Sequence, residues 1–151
     1  DESIIKTLME FRGVEHRLEF VREINGIEFY NDSKSTTVNS LEKALLSFEK
    51  PLILIAGGRD KGLDFTKLRD LVNKKLKYLI LIGEAKEKIK RELTFNNTLE
   101  ANSLEEAVKK SYELAKAGDV VLLSPGCTSF DMFSNYEERG KVFKECVSKL
   151  V

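Results

Sequence analysis

A doubly wound, mostly parallel (Rossmann-like) α/β sheet with an antiparallel hairpin strand at its start is the fold this sequence predicts. Three observations predict it. From Thr37 onward, strand-sized apolar runs alternate with helical patterns, the order that builds a parallel sheet covered by helices. Leu52-Ile53-Leu54-Ile55-Ala56 and Val120-Val121-Leu122-Leu123 are apolar throughout, as strands buried on both faces are. Asn25-Gly26 lies between two extended segments and is the strongest two-residue hairpin signal.

Each element follows from local chemistry. Ser3 to Phe11 places Ile4, Ile5, Leu8 and Phe11 on one side of a short amphipathic helix, so residues 1–12 read as a linker from an upstream domain. Residues 13–151 are then the domain proper. Leu18, Phe20 and Ile24 mark a strand that turns at Asn25-Gly26 into Ile27 to Tyr30. Thr37 to Phe48 is helical, with Val38, Leu41, Ala44, Leu45 and Phe48 facing the core. A strand over Leu52 to Ala56, a helix over Phe65 to Leu76, a strand over Tyr78 to Ile82 and a helix over Ala85 to Leu93 follow. Thr98 to Ala101 is a short strand, and Ser103 caps a helix from Leu104 to Lys116, with Glu106 as its capping-box partner. Ala117-Gly118-Asp119 stops that helix before the strand Val120 to Ser124. The remainder is expected to be helical to the C-terminus, with a break near Ser134-Asn135.

At 151 residues the chain suits one domain with a real core. Its 25 basic residues balance 25 acidic ones, so no broad basic field invites nucleic acid or an anionic membrane. No apolar run approaches the ~18 residues of a membrane span, and nothing at the start resembles a signal peptide. A cytoplasmic location is expected. The first residue, Asp1, suggests a processed chain or part of a longer one. Cys127 and Cys146 are too few and too poorly spaced for a disulfide framework or a zinc site, so both read as buried or half-buried free thiols, and no metal site is expected.

Three predicted strands run into polar loops, each expected at a helix start, and in an open α/β sheet such loops gather at the carboxyl edge. The first, Asn31-Asp32-Ser33-Lys34-Ser35-Thr36-Thr37, offers a carboxylate, an ammonium and hydroxyls. Amides at a helix start favour an anion there, with Lys34 adding charge; alternatively Asp32 or Ser33 merely caps the helix and Lys34 is solvated. In the second, Gly57-Gly58-Arg59-Asp60-Lys61-Gly62, no Ser or Thr follows the lysine, so it is no Walker A loop. Arg59 and Lys61 there could bind an anion, or the glycines could serve only a tight turn. The third, Ser124-Pro125-Gly126-Cys127-Thr128-Ser129-Phe130-Asp131, lacks the G-x-S-x-G of a serine elbow. It also lacks an Arg six residues after Cys127, where Phe133 stands. Its hydroxyl and amide donors suit a carboxylate better than they suit a nucleophile. His16, the one histidine, reads as structural, and Arg17 beside it as a further anion ligand.

Taken together, these loops resemble the C-terminal domain of the Mur ligases, the ATP-dependent amino-acid ligases of peptidoglycan synthesis. The resembling residues are His16-Arg17-Leu18-Glu19, Asn31-Asp32-Ser33-Lys34-Ser35-Thr36, Gly57-Gly58 with Lys61, Leu123-Ser124-Pro125, Phe130-Asp131-Met132-Phe133 and Asn135-Tyr136-Glu137-Glu138-Arg139-Gly140. The D-S-K-x-T loop is the discriminating piece, and it points to the D-glutamate-adding branch. The sequence departs from the usual pattern at Thr37, Arg59-Asp60, Gly126 and Tyr136, where Asn, Asp-Gly, Ala and Phe are common.

The resemblance implies a part in joining D-glutamate to UDP-N-acetylmuramoyl-L-alanine through an acyl phosphate. It implies Lys34 as the catalytic residue and Arg17, Asp32 and Lys34 at the nucleotide. Thr36, Lys61, Ser129, Phe130 and Tyr136 would hold D-glutamate, and His16 would support the interdomain hinge. ATP and Mg2+ would be bound mainly by a central domain, and the UDP-sugar by an N-terminal one, both absent from this chain. The isolated domain is then inactive. The reading from another class is a free-standing, non-catalytic α/β module that binds a small anion.

Overall fold

The computed structural model describes residues 15–129 and 131–151. The expected helix from Ser3 to Phe11, and with it the linker, lies outside them. The hairpin signal becomes a tight turn in which Asn25 and Gly26 have φ of 52° and 81°, the left-handed pair that a type I′ turn requires. It joins β1 (Glu19–Ile24) to β2 (Ile27–Asn31) antiparallel. All further strand pairing is parallel: β3 (Leu52–Ala56), β4 (Leu76–Leu81), β5 (Thr98–Glu100) and β6 (Val120–Leu123) complete a six-stranded sheet in the order β1-β2-β6-β3-β4-β5. The helices are α1 (Val38–Leu46), α2 (Arg69–Lys75), α3 (Lys86–Leu93), α4 (Leu104–Leu114) and α5 (Tyr136–Ser148).

The unbroken apolar strands are explained by two cores. Leu52, Leu54 and Ala56 point to one face and pack with Leu41, Leu45, Val72 and Ile89. Ile53 and Ile55 point to the other face and pack with Leu104, Val108, Phe143 and Val147. Helices α1, α2 and α3 cover the first face and α4 and α5 the second, so the sheet is doubly wound. After β5 the chain returns to insert β6 between β2 and β3. In this register Leu123 pairs with both Asn31 and Ile55, so the carboxyl ends of β2, β6 and β3 share one line. That reversal of strand order is where open α/β sheets form their ligand crevice.

Several expected boundaries move, each for a local reason. The helix expected from Phe65 begins as a 3-10 turn over Thr66–Leu68 and ends at Lys75, because Leu76 pairs with Leu52 and enters β4. Ser103 accepts from the amide of Glu106 at 3.0 Å, but the Glu106 carboxylate reaches the amide of Asn102 (3.1 Å) rather than returning to the cap. A reciprocal capping box forms instead between Thr37 and Ser40 at the start of α1. The last helix begins only at Tyr136: the Ser129 carbonyl accepts from both Met132 and Phe133, closing turns, and Asn135 Oδ1 caps Glu138 at 2.8 Å. No helix among the described residues is long and apolar enough to cross a membrane.

Candidate functional site

The three polar loops meet above β2, β6 and β3 and are tied to one another. Asp32 donates its amide to the Leu123 carbonyl at 2.7 Å, and its Oδ2 accepts from Ser124 Oγ at 2.8 Å. Gly126 N reaches the Ser35 carbonyl at 2.9 Å, joining the third loop to the first. Gly57 N reaches Pro125 O and Arg59 N reaches Thr128 O, each at 3.0 Å, joining the second loop to the third. Gly57 and Gly58 are required by this crowding: a Cβ on either would meet backbone oxygen at 2.1 or 2.4 Å.

Arg17, Asp32 and Lys34 line one cleft of about 400 Å³ with Ser35, Asn39 and Lys43. Asp32 is almost wholly buried, and its Oδ1 accepts from the amide of Leu18 at 3.1 Å. Burial pushes its carboxyl up from 3.8 to about 6, against the hydrogen bonds from Ser124 and Leu18 and the charge of Arg17. A carboxylate held at that cost, beside a cationic cleft, can accept hydrogen bonds from ligand hydroxyls. Asn39, Ser40 and Lys43 also line the cleft. They read in the sequence only as the polar face of α1.

His16 is buried and left-handed, with φ of 73°. Its carbonyl accepts from Lys34 N at 2.9 Å and its Nδ1 lies 2.9 Å from Asn31 Nδ2. That amide nitrogen also donates to Glu19, so Nδ1 is the acceptor and Nε2 carries the proton. Nε2 lies 3.6 Å from Glu15 and has no hydrogen-bond partner among the described residues. Burial holds the imidazole below its ordinary range. Through its carbonyl, His16 ties its own strand entry to the backbone of Lys34.

Lys61 is exposed on the second loop, beside Gly62 with φ of 77°. Ser129 is 2% exposed, and neither its hydroxyl nor that of Thr128 has a hydrogen-bond partner among the described residues. Buried unpaired hydroxyls are uncommon, and these two are adjacent in the third loop. Thr36 is half-buried and is not among the residues lining the cleft. Phe130 lies outside the described residues. Tyr136, at the start of α5, lies edge-on to His16 with ring centroids 6.0 Å apart, and its carbonyl accepts from Ser33 Oγ at 2.7 Å. The Cys127 thiol is fully buried and pushed up to about 12 by burial, so it is inert at neutral pH.

Arg139 stands in the last of the resembling motifs, with no role implied for it. Its guanidinium is 1% exposed and spans two loops, donating to Ser33 Oγ (2.9 Å), Ser33 O (2.7 Å) and Cys127 O (3.0 Å). Burial lowers it only to about 10, so it remains charged at pH 7. It holds the residue before Lys34 and a residue two before Ser129. Gly140 beside it leaves room for His16, whose Nδ1 would lie 2.1 Å from an added Cβ. An arginine on an amphipathic helix reads in sequence as surface, and only the packing reveals this one.

The fold and the loop set are those of a ligase C-terminal domain: residues 16–127 match the Mur ligase, glutamate ligase domain, and the chain belongs to that family. Among its relatives is the UDP-N-acetylmuramoylalanine--D-glutamate ligase of Caldicellulosiruptor bescii, 56% identical over 153 residues, covering 99% of this chain and 34% of that protein. The protein of the same name from Aquifex aeolicus is 55% identical over 150 residues, covering 97% of this chain and 36% of that one. The chain thus spans about a third of the length of these relatives. The fold is shared with UDP-N-acetylmuramate-alanine ligase from Thermotoga maritima, with a TM-score of 0.61 at 16% identity over 96% of this chain and 33% of that chain. It is also shared with bifunctional folylpolyglutamate synthase/dihydrofolate synthase from Yersinia pestis, with a TM-score of 0.66 at 11% identity over 96% of this chain and 34% of that chain.

Proposed function

We propose that this chain is the C-terminal, amino-acid-binding domain of a cytoplasmic ATP-dependent ligase that adds D-glutamate to UDP-N-acetylmuramoyl-L-alanine in peptidoglycan synthesis. The observation that carries the reading is 56% identity across 99% of the chain to a ligase named for that reaction. ATP supplies the phosphoryl group that activates the UDP-sugar carboxylate, and Mg2+ and most ATP contacts belong to domains outside this chain. Within it, Arg17 and Lys34 bring positive charge to the nucleotide side of the cleft, and Asp32 accepts from nucleotide hydroxyls. Lys61 takes one carboxylate of D-glutamate and Ser129, with neighbouring amides, the other. Thr36, Phe130 and Tyr136 complete that side, and His16 supports the hinge by fixing the backbone of Lys34. The amine of D-glutamate is thereby presented to the acyl phosphate, so these residues position and neutralise and none acts as a nucleophile.

ATP-dependent phosphate release by the full-length ligase, with UDP-N-acetylmuramoyl-L-alanine and a panel of amino acids, tests the reading. D-glutamate should be the preferred acceptor. Equal or better use of a neutral or basic amino acid would refute it.

A further inference from the structure

The loops carrying Lys61 and Ser129 are joined by a chain of hydrogen bonds that runs through a separate segment, the turn after β4. Asp131, two residues after Ser129, accepts on Oδ2 from the amide of Glu84 at 2.8 Å. The Glu84 carboxylate in turn accepts from the amide of Asp60 at 3.1 Å. The Asp60 carboxylate accepts from Gly62 N at 3.0 Å, closing the turn around Lys61, and from Lys88 Nζ on α3 at 3.1 Å. Those two partners, Gly62 first, hold the Asp60 carboxyl below its ordinary range.

The turn that carries Glu84 has little freedom. A Cβ on Gly83, whose φ is 78°, would meet Asp131 Oδ2 at 2.5 Å and the Gly58 backbone at 2.9 Å. Ala85 N is bound to Gly58 O at 2.9 Å. The turn is therefore wedged between the second and third loops. Arg59-Asp60 is also where the sequence departs from the family's common Asp-Gly. A glycine in place of Asp60 would have no side chain to hold Gly62 or Lys88.

We infer that Glu84 and Asp60 are positioning residues that set the span between Lys61 and Ser129, and through it the length of acidic amino acid accepted. The inference rests on the assignment of those two residues to the carboxylates of D-glutamate. A ligand held at both ends discriminates by length only if its two anchors are fixed relative to one another. Side chains as exposed as Glu84 contribute little to folding, so their effect should fall on binding.

The test uses the full-length ligase, with D-glutamate, D-aspartate and ATP each titrated. Glu84→Ala and Asp60→Gly should each raise the apparent KM for D-glutamate by about three- to tenfold. The preference for D-glutamate over the shorter D-aspartate should narrow, and the KM for ATP and the Tm should stay put. Glu84→Gln keeps an oxygen acceptor for the Asp60 amide and should restore most of the loss, which a merely electrostatic role would not allow. Unchanged D-glutamate dependence in Glu84→Ala, or Glu84→Gln behaving like Glu84→Ala, overturns the inference. Lys61→Ala run alongside separates the two levels. If it raises the KM while Glu84→Ala does not, only the relay is refuted. If it too leaves the KM unchanged, the carboxylate assignment fails and the relay falls with it.

Discussion

In Asp32→Asn the buried carboxylate at the head of the cleft becomes a neutral amide of the same shape. The wild-type carboxyl ionises near 3.8 when unfolded and near 6 when folded. Between those values the folded chain holds the extra proton, so its stability falls as pH rises through the window and then levels off. A shift from 3.8 to about 6 corresponds to about 3 kcal/mol of cost for the ionised form at pH 7. Asparagine carries no such cost. Its oxygen can still accept from Leu18 N, and its NH2 can donate to Ser124 Oγ once that hydroxyl turns away. Urea denaturation of the two proteins should therefore find Asp32→Asn more stable at pH 7, by up to about 3 kcal/mol, with the gap under about 1 kcal/mol at pH 4. Ligation by the full-length variant should fall at the same time by at least about tenfold, because the amide cannot supply a charged acceptor. This opposition of stability and activity is what a group retained for function produces. A variant less stable than wild type at pH 7, or a gap independent of pH, would refute the reasoning.

Lys34→Ala in the full-length ligase should lower kcat substantially and leave UDP-sugar affinity near normal if, as proposed, its charge acts in the closed complex; a loss confined to UDP-sugar binding would remove the role assigned to it. Arg139→Ala strips Ser33 and Cys127 of their buried donor and should cost about 3–5 kcal/mol by urea denaturation, whereas a cost under about 1 kcal/mol would mean the two loops hold without it. The 151-residue chain alone should neither hydrolyse ATP nor ligate, because phosphoryl transfer needs a phosphate cradle that its sequence lacks. Steady ATP turnover that disappears on changing Lys34 would contradict that.

Much of the frame was legible because it depends on local patterns. Asn25-Gly26 can hardly be other than a turn, and Leu52 to Ala56 is apolar at every position because helices cover both faces. Asp32 and Lys34 are placed at the sheet edge by reading a polar loop at the end of a strand, whereas Arg17 joins them in one cleft only through the resemblance. What escaped depends on distant partners. The insertion of β6 between β2 and β3 is a matter of crossover, which no window of sequence records. The delayed start of α5 depends on the Ser129 carbonyl taking two amides at once. Arg139 and Glu84 looked alike as charged residues near helix ends, yet one is fully buried and the other is an exposed brace. The adjacent hydroxyls of Thr128 and Ser129, without a hydrogen-bond partner among the described residues, emerge only from packing, and they fall in the loop whose donors suit a carboxylate.

The most direct test of the account is a D-glutamate titration of the full-length ligase carrying Lys61→Ala or Ser129→Ala, at saturating UDP-N-acetylmuramoyl-L-alanine. On the proposed assignment each loss removes a charge-assisted hydrogen bond to one end of the amino acid, so the apparent KM for D-glutamate should rise roughly ten- to a hundredfold, more for the lysine. The KM for ATP should scarcely move. Two variants with wild-type dependence on D-glutamate would contradict the account.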